Sequence, residues 1–83
     1  MDTINSLREN IDSIDNSIID LLNSRFSFCE TIGVLKKANN IPTVYDPARE
    51  QTIINRLSLR EKYPGMVEAI WPVIMNFSKD LQK

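Results

Sequence analysis

The chain is 83 residues long, with ten basic and eleven acidic residues, one cysteine and no histidine. An intrachain disulfide and a Cys/His zinc cluster are excluded, and a net charge of −1 argues against nucleic-acid binding, which shows as a basic excess or stripe. One small domain over residues 1–83 is expected, too short to bury much apolar surface alone, so self-association is the expected source of further core. No apolar run resembles a signal peptide and no segment reaches transmembrane length; with the lone thiol of Cys29, this points to the cytoplasm.

The spacing of Ile4, Leu7, Ile11, Ile14, Ile18, Leu21, Arg25, Phe28, Ile32 and Leu35 predicts one long amphipathic helix from about residue 3 to about residue 38. At 1.5 Å per residue it spans roughly 50 Å, a length suited to a helix shared by two subunits. Arg25 stands where the apolar seam calls for a leucine. A guanidinium there is costly unless a protein carboxylate or an anionic ligand meets it, and the seam alone leaves both open. Lys36 lies eleven positions on, about 20° round the helix and about 16 Å along it, so two long side chains can converge on one small molecule. Arg8 points roughly 100° away from Arg25 and is poorly placed to join it within one subunit. Gly33 lies inside the helix and weakens it by about 1 kcal/mol relative to alanine.

Asn39, Asn40, Ile41 and Pro42 end the first helix, since asparagine tolerates the left-handed region and proline turns its predecessor away from the helical one. After a short loop, Asp46 and Pro47 read as N-cap and first helical residue, with Glu50 adding favourable charge in the first turn. The second helix carries Ile53, Ile54 and Leu57 inward and is expected to end near Lys62; Asp46, Arg49 and Glu50 share one of its faces. Tyr63, Pro64 and Gly65 form a turn. A third helix then sets Met66, Ile70, Ile74, Phe77 and Leu81 on one stripe, flanked by Ser78 and Gln82, with Pro72 expected to kink it or to mark a break near Ala69. The fold class is all-α, with three helices: one long, one short, one medium.

Each polar residue has an ordinary explanation taken singly: Arg8 as a solvated side chain, Lys36 and Lys37 as complements of the helix dipole, Asp46 as a cap, Arg49 and Glu50 as a surface pair. Their order along the chain carries more. Arg8 within Leu7-Arg8-Glu9-Asn10-Ile11, with Asp12 and Asp15 nearby, Arg25, Gly33 followed by Lys36, the run Asp46-Pro47-Ala48-Arg49-Glu50, and then Ser78 and Gln82 together resemble the all-helical (AroQ-type) chorismate mutases over nearly the whole chain.

That resemblance implies an intertwined helical homodimer with long first helices spanning both subunits, and two equivalent sites, each completed by an arginine from the other chain; Arg8 fits that donated role. It implies an intramolecular Claisen rearrangement of chorismate to prephenate, in phenylalanine and tyrosine biosynthesis, with no cofactor, no metal and no covalent intermediate. The enzyme must hold a flexible dianion in its reactive shape and stabilise charge growing on the ether oxygen. By the same resemblance, Arg25 and the partner's Arg8 bind carboxylates, Arg49 shapes the anionic pocket, and Ser78 contacts a carboxylate. Lys36 and Gln82 donate to the ether oxygen, and Glu50, with the Asp46 region, holds the ring hydroxyl. Phe26 departs from the family's frequent second basic residue after Arg25. The alternatives are an isochorismate pyruvate-lyase on the same fold and a non-catalytic helical dimerisation module.

Overall fold

A computed structural model describes residues 3–42 and 45–83. Three helices follow in order, α1 (Thr3–Ala38), α2 (Pro47–Ser58) and α3 (Met66–Leu81), in a body measuring 60 × 24 × 15 Å. Helix α1 has the predicted bounds. It closes with Asn40 in the left-handed region at φ 56°. The Ile41 amide then bonds to the Lys36 carbonyl at 2.7 Å and the Asn40 amide to Lys37 at 3.2 Å, the paired bonds of a Schellman ending. The middle of the following loop, residues 43 and 44, lies outside the described residues.

Asp46 caps α2 as expected: its Oδ1 accepts from the Arg49 amide at 3.0 Å, with Pro47 opening the helix. The predicted end near Lys62 is wrong. Helix α2 stops at Ser58, and Glu61 is used otherwise, its carboxylate accepting from the Gly65 amide at 3.2 Å and the Val67 amide at 2.9 Å. Gly65, at φ 84°, occupies the N-cap of α3 and has no side chain to cap with, so the upstream carboxylate satisfies the open donors instead.

Helix α3 does not break at Pro72. Pro72 and Glu68, the residue whose carbonyl loses its ladder donor, both lie on the exposed side of α3, where a lost ladder bond costs least. The buried face of α3 also differs from the predicted stripe. Val67, Met75 and Ser78 are buried, whereas Ile70 and Phe77 are exposed. Both α1 and α2 pack on α3, and this inward face carries Val67, half-buried Trp71, Met75 and Ser78, one position away from the stripe expected.

Along α1 the two ends behave differently. From Leu7 to Ile18 the predicted seam is present but open: Leu7, Ile11, Ile14 and Ile18 are 54%, 55%, 57% and 47% exposed. From Leu22 on, the inward line runs through Leu22, Arg25, Phe26, Cys29, Gly33 and Lys36, while Phe28 and Leu35, which were expected to face inward, are exposed. The buried apolar residues Cys29, Ile53, Val67 and Met75 lie on all three helices and form a small core around one end of the molecule. Among the described residues no helix is long and apolar enough to cross a membrane.

Candidate functional site

The three helices converge on a cavity of about 260 Å³. Helix α1 supplies Arg25, Cys29, Ile32 and Lys36, at successive steps of four, three and four. Asp46, Arg49, Glu50 and Ile53 come from the start of α2, and Met75, Ser78, Lys79 and Gln82 from the end of α3. Seven of the eight polar residues singled out from the sequence therefore line one hollow: Arg25, Lys36, Asp46, Arg49, Glu50, Ser78 and Gln82. Arg8 does not. It is exposed, seventeen residues before Arg25 on α1, or roughly 26 Å along the axis.

Arg25 resolves the choice posed by the seam. Its Nη1 donates to Ser78 Oγ, and among the described residues no carboxylate pairs with it. Ser78, 5% exposed, donates in turn to the Ile74 carbonyl at 2.9 Å. One neutral hydroxyl thus orients the guanidinium and leaves its charge uncompensated. The planar fork keeps further N–H groups to offer a carboxylate.

Lys36 Nζ donates to Gln82 Oε1 at 3.0 Å. The bond fixes the amide so that Nε2 remains a donor, and the ammonium retains two more protons. Two donors, one cationic and one neutral, therefore stand side by side in the cavity. Gly33 makes this pairing possible. A Cβ at Gly33 would lie 2.8 Å from Gln82 Cα, closer than real contacts allow, and a tight 3.1 Å from its carbonyl oxygen. The glycine that looks like a helix defect in sequence is where the last turn of α3 seats against α1. Lys37 adds a second tie, its Nζ donating to the Lys83 carbonyl at 2.6 Å.

Glu50 is three-quarters buried. Its Oε2 is fully shielded and accepts no hydrogen bond, although Lys79 Nζ stands 3.3 Å away. The ammonium is within ion-pair distance without the alignment of a donor, so the carboxylate is charge-balanced yet keeps acceptor capacity. A buried acceptor in this state is costly unless something supplies the missing proton. Four cationic side chains, Arg25, Lys36, Arg49 and Lys79, face two carboxylates, Asp46 and Glu50, an excess of two positive charges.

The family model for chorismate mutase type II matches residues 7–83. The chain belongs to that family. A chorismate mutase from Methanocaldococcus jannaschii is 32% identical over 81 residues, covering 93% of this chain and 81% of the relative. A bifunctional chorismate mutase/prephenate dehydratase from Aquifex aeolicus is 37% identical over 68 residues, covering 80% of this chain but only 18% of that much longer protein. Among solved structures, a conserved hypothetical protein from Pyrococcus furiosus superposes with a TM-score of 0.83 at 36% identity, covering 100% of this chain and 99% of the other.

Within this chorismate mutase family member, sequence reasoning passed over Lys79 and Met75, and gave Cys29 no place in the lining. Lys79 had a signal: it lies four residues after Met75 and three before Gln82, on the same face of α3. Phe26, noted as a departure from the family, has a partner in Phe77. Their ring centroids are 4.8 Å apart with planes inclined at 51°, a tilted aromatic contact between α1 and α3.

Proposed function

We propose that this cavity binds chorismate and rearranges it to prephenate. The reaction breaks one carbon–oxygen bond and forms one carbon–carbon bond within a single molecule, with no proton moved and no electron exchanged with the protein. It therefore asks for shape and charge rather than for a nucleophile or a base. The supporting observation is Arg25: a partly buried guanidinium held by a neutral serine hydroxyl, without a carboxylate partner among the described residues. An excess of two positive charges in the cavity suits a dianionic substrate.

In this reading Arg25 grips one carboxylate, with Ser78 beside it and Arg49 shaping the rim. The donors left on Lys36 and Gln82 meet the ether oxygen as negative charge gathers there. Glu50 takes the ring hydroxyl through Oε1, the oxygen that is not shielded beside Lys79, with Asp46 holding the start of α2 in place. The working unit is a cytoplasmic homodimer, the 83 residues acting as one domain. The exposed line of Leu7, Ile11, Ile14 and Ile18 supports this assembly, because a second copy can cover it, and Arg8 on the same half of α1 then serves the cavity of the other subunit.

The test is incubation of the purified chain with chorismate, following loss of its absorbance and identifying the product, in parallel with isochorismate. Prephenate from chorismate at well above the spontaneous rate is expected. Release of pyruvate from isochorismate, with chorismate untouched, would instead establish the lyase reading; conversion of neither would leave only the dimerisation module.

A further inference from the structure

Lys79 takes no part in the resemblance on which the site was first recognised, yet its ammonium lies 3.3 Å from Glu50 Oε2 inside the cavity, with both side chains 25% exposed. The same ammonium stands 4.5 Å from the ring centroid of Tyr45, the residue before the cap of α2. One side chain from the last full turn of α3 thus reaches both the approach to α2 and its first turn. Glu50 has no other cation at ion-pair distance among the described residues.

We propose that Lys79 is a positioning residue for the reaction: it holds the Glu50 carboxylate in place and neutralises it, so that a dianionic substrate meets Glu50 as an acceptor and not as a repelling charge. The inference rests on the proposed function. Two features of the geometry carry it. The ammonium stands against the shielded Oε2, so Oε1, which accepts no hydrogen bond among the described residues, is the oxygen left to a substrate hydroxyl. Without Lys79 the cavity's positive excess halves, and a largely buried carboxylate is left facing the carboxylates of the substrate. Lys79 acts through Glu50, and the tie to Tyr45 keeps its long stem from swinging outward.

A double-mutant cycle separates this role from direct contact with substrate. Lys79→Met should raise KM by about tenfold or more with a smaller fall in kcat, and Lys79→Arg should bring KM back to within about threefold of wild type. Glu50→Gln lowers activity by itself. In that background Lys79→Met should change kcat/KM by less than about threefold, because a neutral amide needs no counter-charge. If the two substitutions multiply, or if Lys79→Met behaves as wild type, the proposal fails. A readout independent of turnover is the Glu50 side-chain carboxyl carbon resonance in the substrate-free protein. It should shift in Lys79→Met and stay near its wild-type position in Lys79→Arg, and an unmoved resonance in Lys79→Met overturns the clamp. A wild-type protein that leaves chorismate unchanged while this resonance shifts would sink the functional reading and leave the clamp standing.

Discussion

The two halves of α1 obey one helical pattern and end in opposite circumstances. In the N-terminal half Leu7, Ile11, Ile14 and Ile18 form a continuous apolar line that stands open to solvent. In the C-terminal half the inward line is interrupted by Arg25 and Lys36, and this charged stretch is the part that packs against α3 and walls a cavity. The half whose seam carries no charge is the more exposed one. Apolar spacing reports that a face is to be covered, but not by what. A seam of pure isoleucine and leucine suits a second copy of itself, whereas a seam broken by cations suits a ligand between helices of one chain.

The contrast is broken most severely by giving the second half the chemistry of the first. Arg25→Leu restores the apolar seam. Ser78 keeps its bond to Ile74, so no buried group is stranded, and the unfolding free energy should hold or rise within about 1 kcal/mol. Turnover should fall by about 10²–10³, the scale of losing a preorganised charge-stabilising donor. Denaturant titration beside a chorismate assay reads both. An equal loss of stability and activity would return Arg25 to a structural role. Combination with Arg8→Ala sharpens the comparison further. Each variant alone should be nearly inactive, but an equimolar mixture, unfolded and refolded together, should recover about a quarter of wild-type activity. In the proposed dimer half of the pairs are then mixed, and each mixed pair has one intact site of its two. No recovery would place Arg8 outside the partner's cavity.

A smaller perturbation leaves every charge in place and moves one end of the site. Gly33→Ala puts a methyl where Gln82 Cα lies 2.8 Å from the ideal Cβ position. Alanine favours the helix by about 1 kcal/mol locally, so an isolated helix would gain. Here the contact is with backbone, which cannot swing aside, so the last turn of α3 must shift and carry Gln82 away from Lys36. We expect about a tenfold fall in kcat and a net destabilisation of about 1–3 kcal/mol. Gain of stability with full activity would show that the close approach is dispensable.

These residues also mark how far the sequence could be read. The bounds of α1 were legible because asparagine, asparagine and proline state where it must stop, and the start of α2 because Asp46-Pro47 is a local signal. The end of α2 was not, since Leu59, Arg60 and Glu61 favour a helix on their own and only the open amides of α3 draw Glu61 elsewhere. Seven cavity residues were placed by their order along the chain together with the family resemblance. Lys79 was missed because a lysine in the last turn of a helix is already explained by the dipole, and its partner Glu50 is twenty-nine positions distant. The value of Gly33 was equally hidden, because a close approach between two helices belongs to neither one's sequence.

The mildest change concerns the donor pair itself. Gln82 accepts from Lys36 through Oε1 and keeps Nε2 as a donor at every pH. A wild-type protein should therefore show no loss of kcat between about pH 6 and 8 that traces to this position, since only an ionisable donor can be switched off there. Gln82→Glu supplies that switch. A glutamate donates only while protonated, and an ordinary glutamate ionises near pH 4.3. Its kcat should thus approach that of wild type within a few-fold at acidic pH and decline as pH rises, because the ionised form replaces a donor with a second negative charge beside the ether oxygen. The nearby Lys36 ammonium favours that ionised form, so the decline should begin at low pH and not be postponed to neutrality. A Gln82→Glu variant with the flat profile of wild type would mean that the amide does not reach the reacting oxygen, and that Lys36 alone carries the charge there.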